Sequence, residues 1–521
     1  MRPTHRGCCC RMGGDRFCTL WLLCIVAVWS NTEHRRVDRS SINVVQLSSR
    51  LFMEAHGKSS IQDHTSRKRW SLSSARRTTR LGKCYHRSGH RSGHRGKAST
   101  ELFARRGPKP GVSNAAKSAY VHVPFCRRRC FYCDFAISVV GDKKTTWESR
   151  HDTYLHALRR EIKATPQELG NELETVFFGG GTPSLAPPQF IADVLTELDA
   201  RYGISTSAEI SMEMDPGTFD LEKLQGYLVA GINRVSLGVQ VFDDRLLSSI
   251  GRSHSLQDVY NAIQILKRAG VENFSIDLIS GLPNQTLNDW KETIEAALSF
   301  DPPHIAVYDL MVEQKTAFDK WGYVPGLSPL PSEKDSTNMY RYASNTLQQE
   351  GFKHYEISNY AKSGFECEHN RVYWENKPFL AFGMGAASYL QGFRFSRPRK
   401  LDDYLLFVNE ELRSCEDWTN YMQRVRENAS QLHHPNLEEL TDKVMLGLRL
   451  REGLDIESIG IHYGTNVVDS ILEGAQTAIT MGHAKVEIDP NSGNIQRLRL
   501  VDPDGFMISS EIIANIFSYL N

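Results

Sequence analysis

The chain has 521 residues, 40% of them hydrophobic and 24% charged, the composition of a soluble globular protein with room for two or three domains. A net charge of +1 conceals a division: residues 1–118 carry 24 Lys+Arg against 6 Asp+Glu, and the remainder 38 against 55. An acidic body excludes a broad nucleic-acid footprint, which needs a basic face, so no nucleic acid is expected as a partner.

In chain order, the first feature is the apolar run LWLLCIVAVW (Leu20–Trp29), preceded by Arg16 and earlier arginines. It has the length of a signal-peptide core and is too short to cross a bilayer comfortably, so no stable membrane span is expected. A long Ser/Arg-rich, acid-poor stretch follows, including SRKRWSLSSARRTTR and the repeat HRSGHRSGHRG (His86–Gly96). It cannot bury a core and has the composition of an organellar transit segment. The repeat's histidines are read as part of a solvated basic tract rather than as metal ligands. Residues 1–115 are therefore assigned to a disordered targeting extension. A plastid reached through the secretory route is favoured, a mitochondrial presequence is the rival, and a start codon assigned too early is a third reading.

From Ala119 onward, short β-rich runs alternate with helical stretches. YVHV, TVFFGGGTPS, AEISMEMDP, RVSLGVQ, NFSIDLISGLP and HIAVYDLMV are the expected strands. Helices are expected near 154–163, 189–202, 220–230, 256–269 and 287–300. Six strand/helix units at this spacing predict an α/β fold, a partial (β/α)6 TIM-like barrel over 116–315. Most of the strands end in glycine or polar chemistry, and the C-terminal strand ends of a parallel barrel form its active face. Residues 316–435 are less regular and are expected to form an extension of the barrel. Residues 436–521 are expected to form a small helical, winged-helix-like domain with a hairpin around KVEIDP and NIQRLRLVDPDG.

Of 11 cysteines, six lie in the basic arm and five in the body, where Cys126, Cys130 and Cys133 are clustered in CRRRCFYCDF. That pattern excludes a secreted disulfide scaffold and points to one cysteine-dependent site in a reducing compartment. Zinc sites pair two short spacings. Here the second pair is missing, although Cys367 with His369 is a distant candidate, and His122 should point beside the loop. A disulfide leaves one thiol over. An iron–sulfur cluster held by three thiolates with one iron open accounts for the count directly.

CxxxCxxC after a strand at the start of a βα barrel is similar to the signature of radical S-adenosylmethionine (radical SAM) enzymes. More closely, YVHVPFCRRRCFYCDF, FFGGGTPS, ISMEMDPG, RVSLGVQ, IGRSH, IDLISGLP, HNRVYW and LGLRLREG resemble the HemN/HemW group over residues 119–521. The resemblance implies a four-iron, four-sulfur cluster on Cys126, Cys130 and Cys133, with S-adenosylmethionine on the fourth iron. It further implies cofactor contacts from Tyr120, Tyr132, Gly180, Gly181, Thr182, Glu213, Gln240, Arg252 and Asp277. Tyr132 would pack on adenine, the glycines would leave backbone groups bare at the cofactor's amino end, and Arg252 would offer a cation. Taken singly, a glycine triplet is an ordinary turn, and Glu213 or Asp277 a cap or ion-pair partner.

The group contains two activities. One branch is the oxygen-independent coproporphyrinogen III oxidase of porphyrin biosynthesis, with CxxxCxxCxC; the other, HemW, binds haem and passes it to acceptor proteins. Phe135 stands where the oxidase has its fourth cysteine, so the resemblance favours the HemW branch. It also implies haem binding through HNRVYW, with His369 as iron ligand beside Asn370, Tyr373 and Trp374. One departure is FGMGAASYL, in which Ala387 replaces the histidine of the group's GxGAHS. The expected cofactors are the cluster, S-adenosylmethionine and haem. The expected partners are haem, or a porphyrinogen under the oxidase alternative, and an acceptor not identified by the sequence. No residue is assigned a catalytic role.

Overall fold

The structure is a computed structural model that describes residues 115–141, 144–430, 435–490 and 493–520. The expected targeting extension, with its apolar run and basic repeat, lies outside these residues except at its last position.

Six strands, β1 (Ala116–Val123), β2 (Gly170–Gly180), β3 (Ile204–Met214), β4 (Arg234–Gln240), β5 (Phe274–Ser280) and β6 (His304–Asp309), lie parallel and in sequential order. Helices α1 (Lys144–Ala164), α2 (Pro188–Tyr202), α3 (Leu221–Ala230), α4 (Leu256–Arg268) and α5 (Leu287–Ser299) connect them. Strands buried on both sides need near-continuous apolar character, and β1 is buried at every position except Lys117. The connecting helices are instead amphipathic. On α4 the buried Val259, Ala262, Ile263 and Leu266 follow the helical repeat, and a Ser255/Asp258 capping box starts the first turn. A Thr286/Asp289 box starts α5 in the same way. Each box fixes the first turn of its helix and so the end of the connection that leads to it from the C-terminal strand end. The six expected units are therefore present.

The region after 316, expected as an extension of the barrel, adds short strands to both edges of the sheet. Helix α6 (Glu333–Gln349) leads into β7 (Lys353–Glu356) and β8 (Asn359–Ala361), an antiparallel pair joined to β6. A seven-residue helix, α7 (Glu368–Trp374), precedes β9 (Leu380–Phe382), which lies parallel to β1 at the opposite edge. The nine-stranded sheet thus has the order β9-β1-β2-β3-β4-β5-β6-β8-β7. Beyond it, a helix (Pro435–Gly447), a two-residue strand, two helices (Ile456–Tyr463, Thr465–Thr480) and the hairpin Ala484–Ile488/Ile495–Leu500 follow the order of a winged helix. This part has its own apolar core, built around Leu440, Val444, Ile471, Leu498 and Ile516, and that core also takes in Tyr373 and Trp374 of α7. Among the described residues, no helix is long and apolar enough to cross a membrane.

Candidate functional site: a cysteine-rimmed cleft over an inner cavity

The cysteine loop is anchored before any ligand is considered. Phe125–Cys126 pairs with Ser138–Val139, and the Ser138 and Val140 amides donate to Pro124 O (2.8 Å) and Cys126 O (2.9 Å). The loop is thereby closed at its base. Inside it, Arg129 Nη1 donates to the carbonyls of Cys133 (3.1 Å) and Phe135 (3.0 Å), and Arg399 donates to Asp134 O at 2.6 Å. His122 points under the loop and holds Ala136 O at 2.8 Å through Nε2, while Nδ1 meets the Tyr120 hydroxyl at 3.1 Å. Burial lowers its pKa to about 4, so it serves as a neutral strut. All three cysteines are free thiols.

The glycine loop after β2 packs against this loop backbone to backbone. A Cβ at Gly181 would lie 2.7 Å from Pro124 C and 2.8 Å from Phe125 O, so only glycine fits. The amides of Gly181 and Thr182 donate to Val123 O (2.9 Å) and Phe125 O (2.8 Å), and that of Gly180 to Glu213 Oε2 (2.9 Å). The backbone groups expected to be bare are therefore occupied. The glycines are needed to seat the cysteine loop.

Above the strand ends opens a cleft lined by Cys126, Cys130 and Cys133 together with Tyr132, Gly180, Gly181, Thr182, Glu213, Gln240, Arg252 and Asp277. The sheet register makes these neighbours. Glu213 on β3 pairs with Ser236 on β4, and Asp277 follows on β5, where its carboxylate accepts from Ser236 and Ser275 at 2.6 Å each. Gln240 takes φ 71° at the end of β4, a left-handed conformation unusual for a side-chain-bearing residue and one that re-aims it at the cleft. Arg252 is the most connected group. It donates to Asp215 Oδ1 (2.6 Å), Gly238 O (3.1 Å), the Tyr132 hydroxyl (3.4 Å) and Cys130 Sγ (3.7 Å). Thr182 Oγ1 donates to Cys126 Sγ at 3.7 Å. Asp215 was missed in the sequence, although its place two residues past Glu213 at a strand end was the available signal. Burial, reinforced by Asp277 and Asp215, lifts the Glu213 carboxyl to about 8, so it is largely protonated at neutral pH.

Tyr120 and HNRVYW lie elsewhere. Tyr120 lines a second, small inner cavity beneath the cleft, and the two share Glu213, Ser236, Asp277 and Tyr308. Asn370 and Tyr373 line the same inner cavity. His369 is fully buried, its Nδ1 2.7 Å from Thr175 Oγ1 and its Nε2 2.9 Å from the Tyr373 hydroxyl, with its ring stacked on Phe177. Burial, with Arg234 nearby, lowers its pKa to about 3. Both ring nitrogens are therefore engaged in this conformation. Trp374 packs in the C-terminal core. Ala387 lies in a small apolar cluster with Tyr120, Phe177 and Cys367. Cys367 Sγ donates to Glu209 at 3.5 Å, so it too is engaged away from the cysteine loop.

Three thiols face one cleft, and two of them receive hydrogen bonds from Thr182 and Arg252, as sulfurs that become thiolates require. Burial pushes the Cys133 thiol up to about 12. Ionising it needs a compensating positive charge at the sulfur, which bound iron supplies. Among the described residues no three His, Cys, Asp or Glu side chains converge on a single-ion site. Three neighbouring thiols on one cleft, two of them hydrogen-bonded at sulfur, are a donor set that a multi-iron group fits.

Comparison with known proteins places these observations. Residues 120–297 match the radical SAM superfamily. The chain is 41% identical to the haem chaperone HemW of Synechocystis sp. over 412 residues, 77% of this chain and 97% of that protein. It is 32% identical to the mitochondrial radical S-adenosyl methionine domain-containing protein 1 of Danio rerio over 342 residues, 65% of this chain and 73% of that protein. Coproporphyrinogen III oxidase (HemN) of Escherichia coli superposes with a TM-score of 0.62 at 20% identity, over 78% of this chain and 91% of that one. That likeness speaks to the fold.

Proposed function

The chain belongs to the HemW family of radical SAM proteins, and on that premise we propose that it binds haem and delivers it to an acceptor protein. In this reading Cys126, Cys130 and Cys133 hold a four-iron, four-sulfur cluster and the cleft holds S-adenosylmethionine. The observation that carries the reading is the cysteine-rimmed cleft with Phe135, not a fourth cysteine, on its lining. Together with S-adenosylmethionine, such a cluster supplies one-electron reductive chemistry. This chain's residues supply the binding. Arg252, tied by Asp215, presents a fixed cation beside Cys130 Sγ. Gln240 turns its amide towards the cleft, and Tyr132 offers a ring for stacking on adenine.

His369 is the proposed haem ligand, aided by Asn370, Tyr373 and Trp374. Ligation by Nε2 requires the bond to the Tyr373 hydroxyl to break. The oxidase alternative finds less support, because Phe135 leaves it without its fourth cysteine. For the cellular address we propose a plastid, since identity to the cyanobacterial relative (41%) exceeds that to the mitochondrial one (32%). Expressing residues 1–118 as a fluorescent fusion tests it.

Anaerobic purification of the full chain tests the main reading. It should yield an iron–sulfur absorption band that is lost when Cys126, Cys130 and Cys133 are changed to Ala. Added haem should give a bound Soret spectrum that His369→Ala alters. Turnover of coproporphyrinogen III at a useful rate by the same preparation would replace the chaperone reading with the oxidase.

A further inference from the structure

The inner cavity contains a cation that the protein leaves short of acceptors. Arg234 lines it with a side chain only 2% exposed, and its Nε has no hydrogen-bond partner. Its ion pair is with Glu209 Oε2 at 3.9 Å, beyond hydrogen-bond length. Glu209 is already committed to other donors: the amides of Glu368 (3.0 Å) and His369 (3.1 Å) and the Cys367 thiol (3.5 Å). Asp277, a carboxylate lining the same cavity, is taken up by two serine hydroxyls. A guanidinium stays charged at any physiological pH and offers five N–H donors in a planar fork, the shape that matches a carboxylate. A buried one with unused donors calls for a further acceptor.

We propose that Arg234 anchors a carboxylate in the inner cavity, and that in the loaded protein this carboxylate is a propionate of the haem. The inference rests on the haem-binding reading and adds to it where an acidic side arm goes. The cavity and the cleft adjoin at Glu213, Ser236, Asp277 and Tyr308, which line both, so an acidic arm entering from the cleft would pass these side chains. A largely protonated Glu213 there can donate to an entering carboxylate instead of repelling it. On the far side, Asn370 and Tyr373 of HNRVYW face the same cavity, so one occupant would touch both the cofactor cleft and the helix that bears His369.

The test uses the full chain, purified anaerobically with its cluster reconstituted, and titrates it with iron protoporphyrin IX and with its dimethyl ester. The free acid should bind about ten- to a hundredfold more tightly than the ester, the effect of one charge-assisted pairing. Arg234→Gln should abolish the difference, while Arg234→Lys, which keeps the charge, should preserve part of it. The ester comparison on the unaltered chain needs no variant to fold. Equal binding of acid and ester would overturn the propionate assignment. If, with equal binding, sodium propionate raised the melting temperature of the unaltered chain but not of Arg234→Gln, the occupant would be a small free carboxylate, and the haem part would be wrong. If propionate also had no effect, the whole inference would fail. If the chain bound neither porphyrin, the haem-binding reading itself would fail, and the propionate arm would still judge Arg234.

Discussion

Gly181→Ala isolates the contact on which the candidate cluster site is built. The added Cβ would stand 2.7 Å from Pro124 C and 2.8 Å from two backbone oxygens, those of Phe125 and Pro124. Ordinary contact begins near 3.4 Å, and no flexible side chain is available to swing away, so one loop must retreat from the other by about 0.6 Å. The retreat strains two interloop hydrogen bonds, Gly181 N to Val123 O and Thr182 N to Phe125 O. Overpacking at about 1–3 kcal/mol and two weakened bonds at about 0.5–1 kcal/mol each give a destabilisation of about 2–5 kcal/mol. Most of it falls on the segment that presents Cys126. The assay is iron content and iron–sulfur absorbance after anaerobic reconstitution, beside a urea midpoint. Gly460→Ala serves as the control, because its Cβ would meet only Val468 at 3.5 Å, an ordinary contact on a helix. Gly181→Ala should lose most of its iron and shift its midpoint, while Gly460→Ala should match or exceed the parent. Full iron loading and an unshifted midpoint in Gly181→Ala would refute the argument that loop-to-loop contact seats the cysteines.

Other outcomes follow from the buried charges. Glu213 has a folded value of about 8 against the 4.5 of a free carboxyl. The folded state therefore holds a proton the unfolded chain has lost, and stability falls as pH rises from 4.5 to about 8. Between pH 5.5 and 7.5 the fall is about 3 kcal/mol, and Glu213→Gln should remove that part of the slope; parallel profiles would show that this carboxyl is not protonated when folded. Asp215→Ala strips Arg252 of its partner and should cost about 2–3 kcal/mol, moderated because Asp215 is 22% exposed. It should also weaken S-adenosylmethionine binding about tenfold in calorimetry, and unchanged affinity would remove Arg252 from the proposed contacts. His369→Ala in the haem-free chain should cost about 2–4 kcal/mol by urea denaturation, through lost bonds to Thr175 and Tyr373 and the lost stack on Phe177. An unmoved midpoint would contradict the clamp seen here.

Local pattern carried much of this protein into view. The six strand/helix units were legible because buried parallel strands must be apolar throughout and their helices apolar on one face. CRRRCFYCDF and Phe135 were legible because a thiol count needs no tertiary information. The polar strand ends, Glu213, Gln240 and Asp277, were legible as a group because parallel strands bring like ends together, whereas Arg252 reaches them from the loop after the helix Asp244–Ser249. Other features depend on distant partners. β9 is three residues long, too short to announce itself, and becomes a strand only beside β1. Asp215 gains its role from Arg252, 37 residues later. Tyr120, expected as a cofactor contact, lines the inner cavity, a depth set by its place along β1 rather than by its motif.

What the sequence determined by itself is therefore the chemistry available: three thiols, a basic arm, an acidic body and the order of six parallel units. Only the tertiary structure decided which groups remain free to use it. It bound the glycine-loop amides to the cysteine loop, closed both nitrogens of His369 in hydrogen bonds, and left the buried guanidinium of Arg234 short of acceptors. Burial and hydrogen-bond partnership are properties of residues far apart in the chain, and no local pattern encodes them.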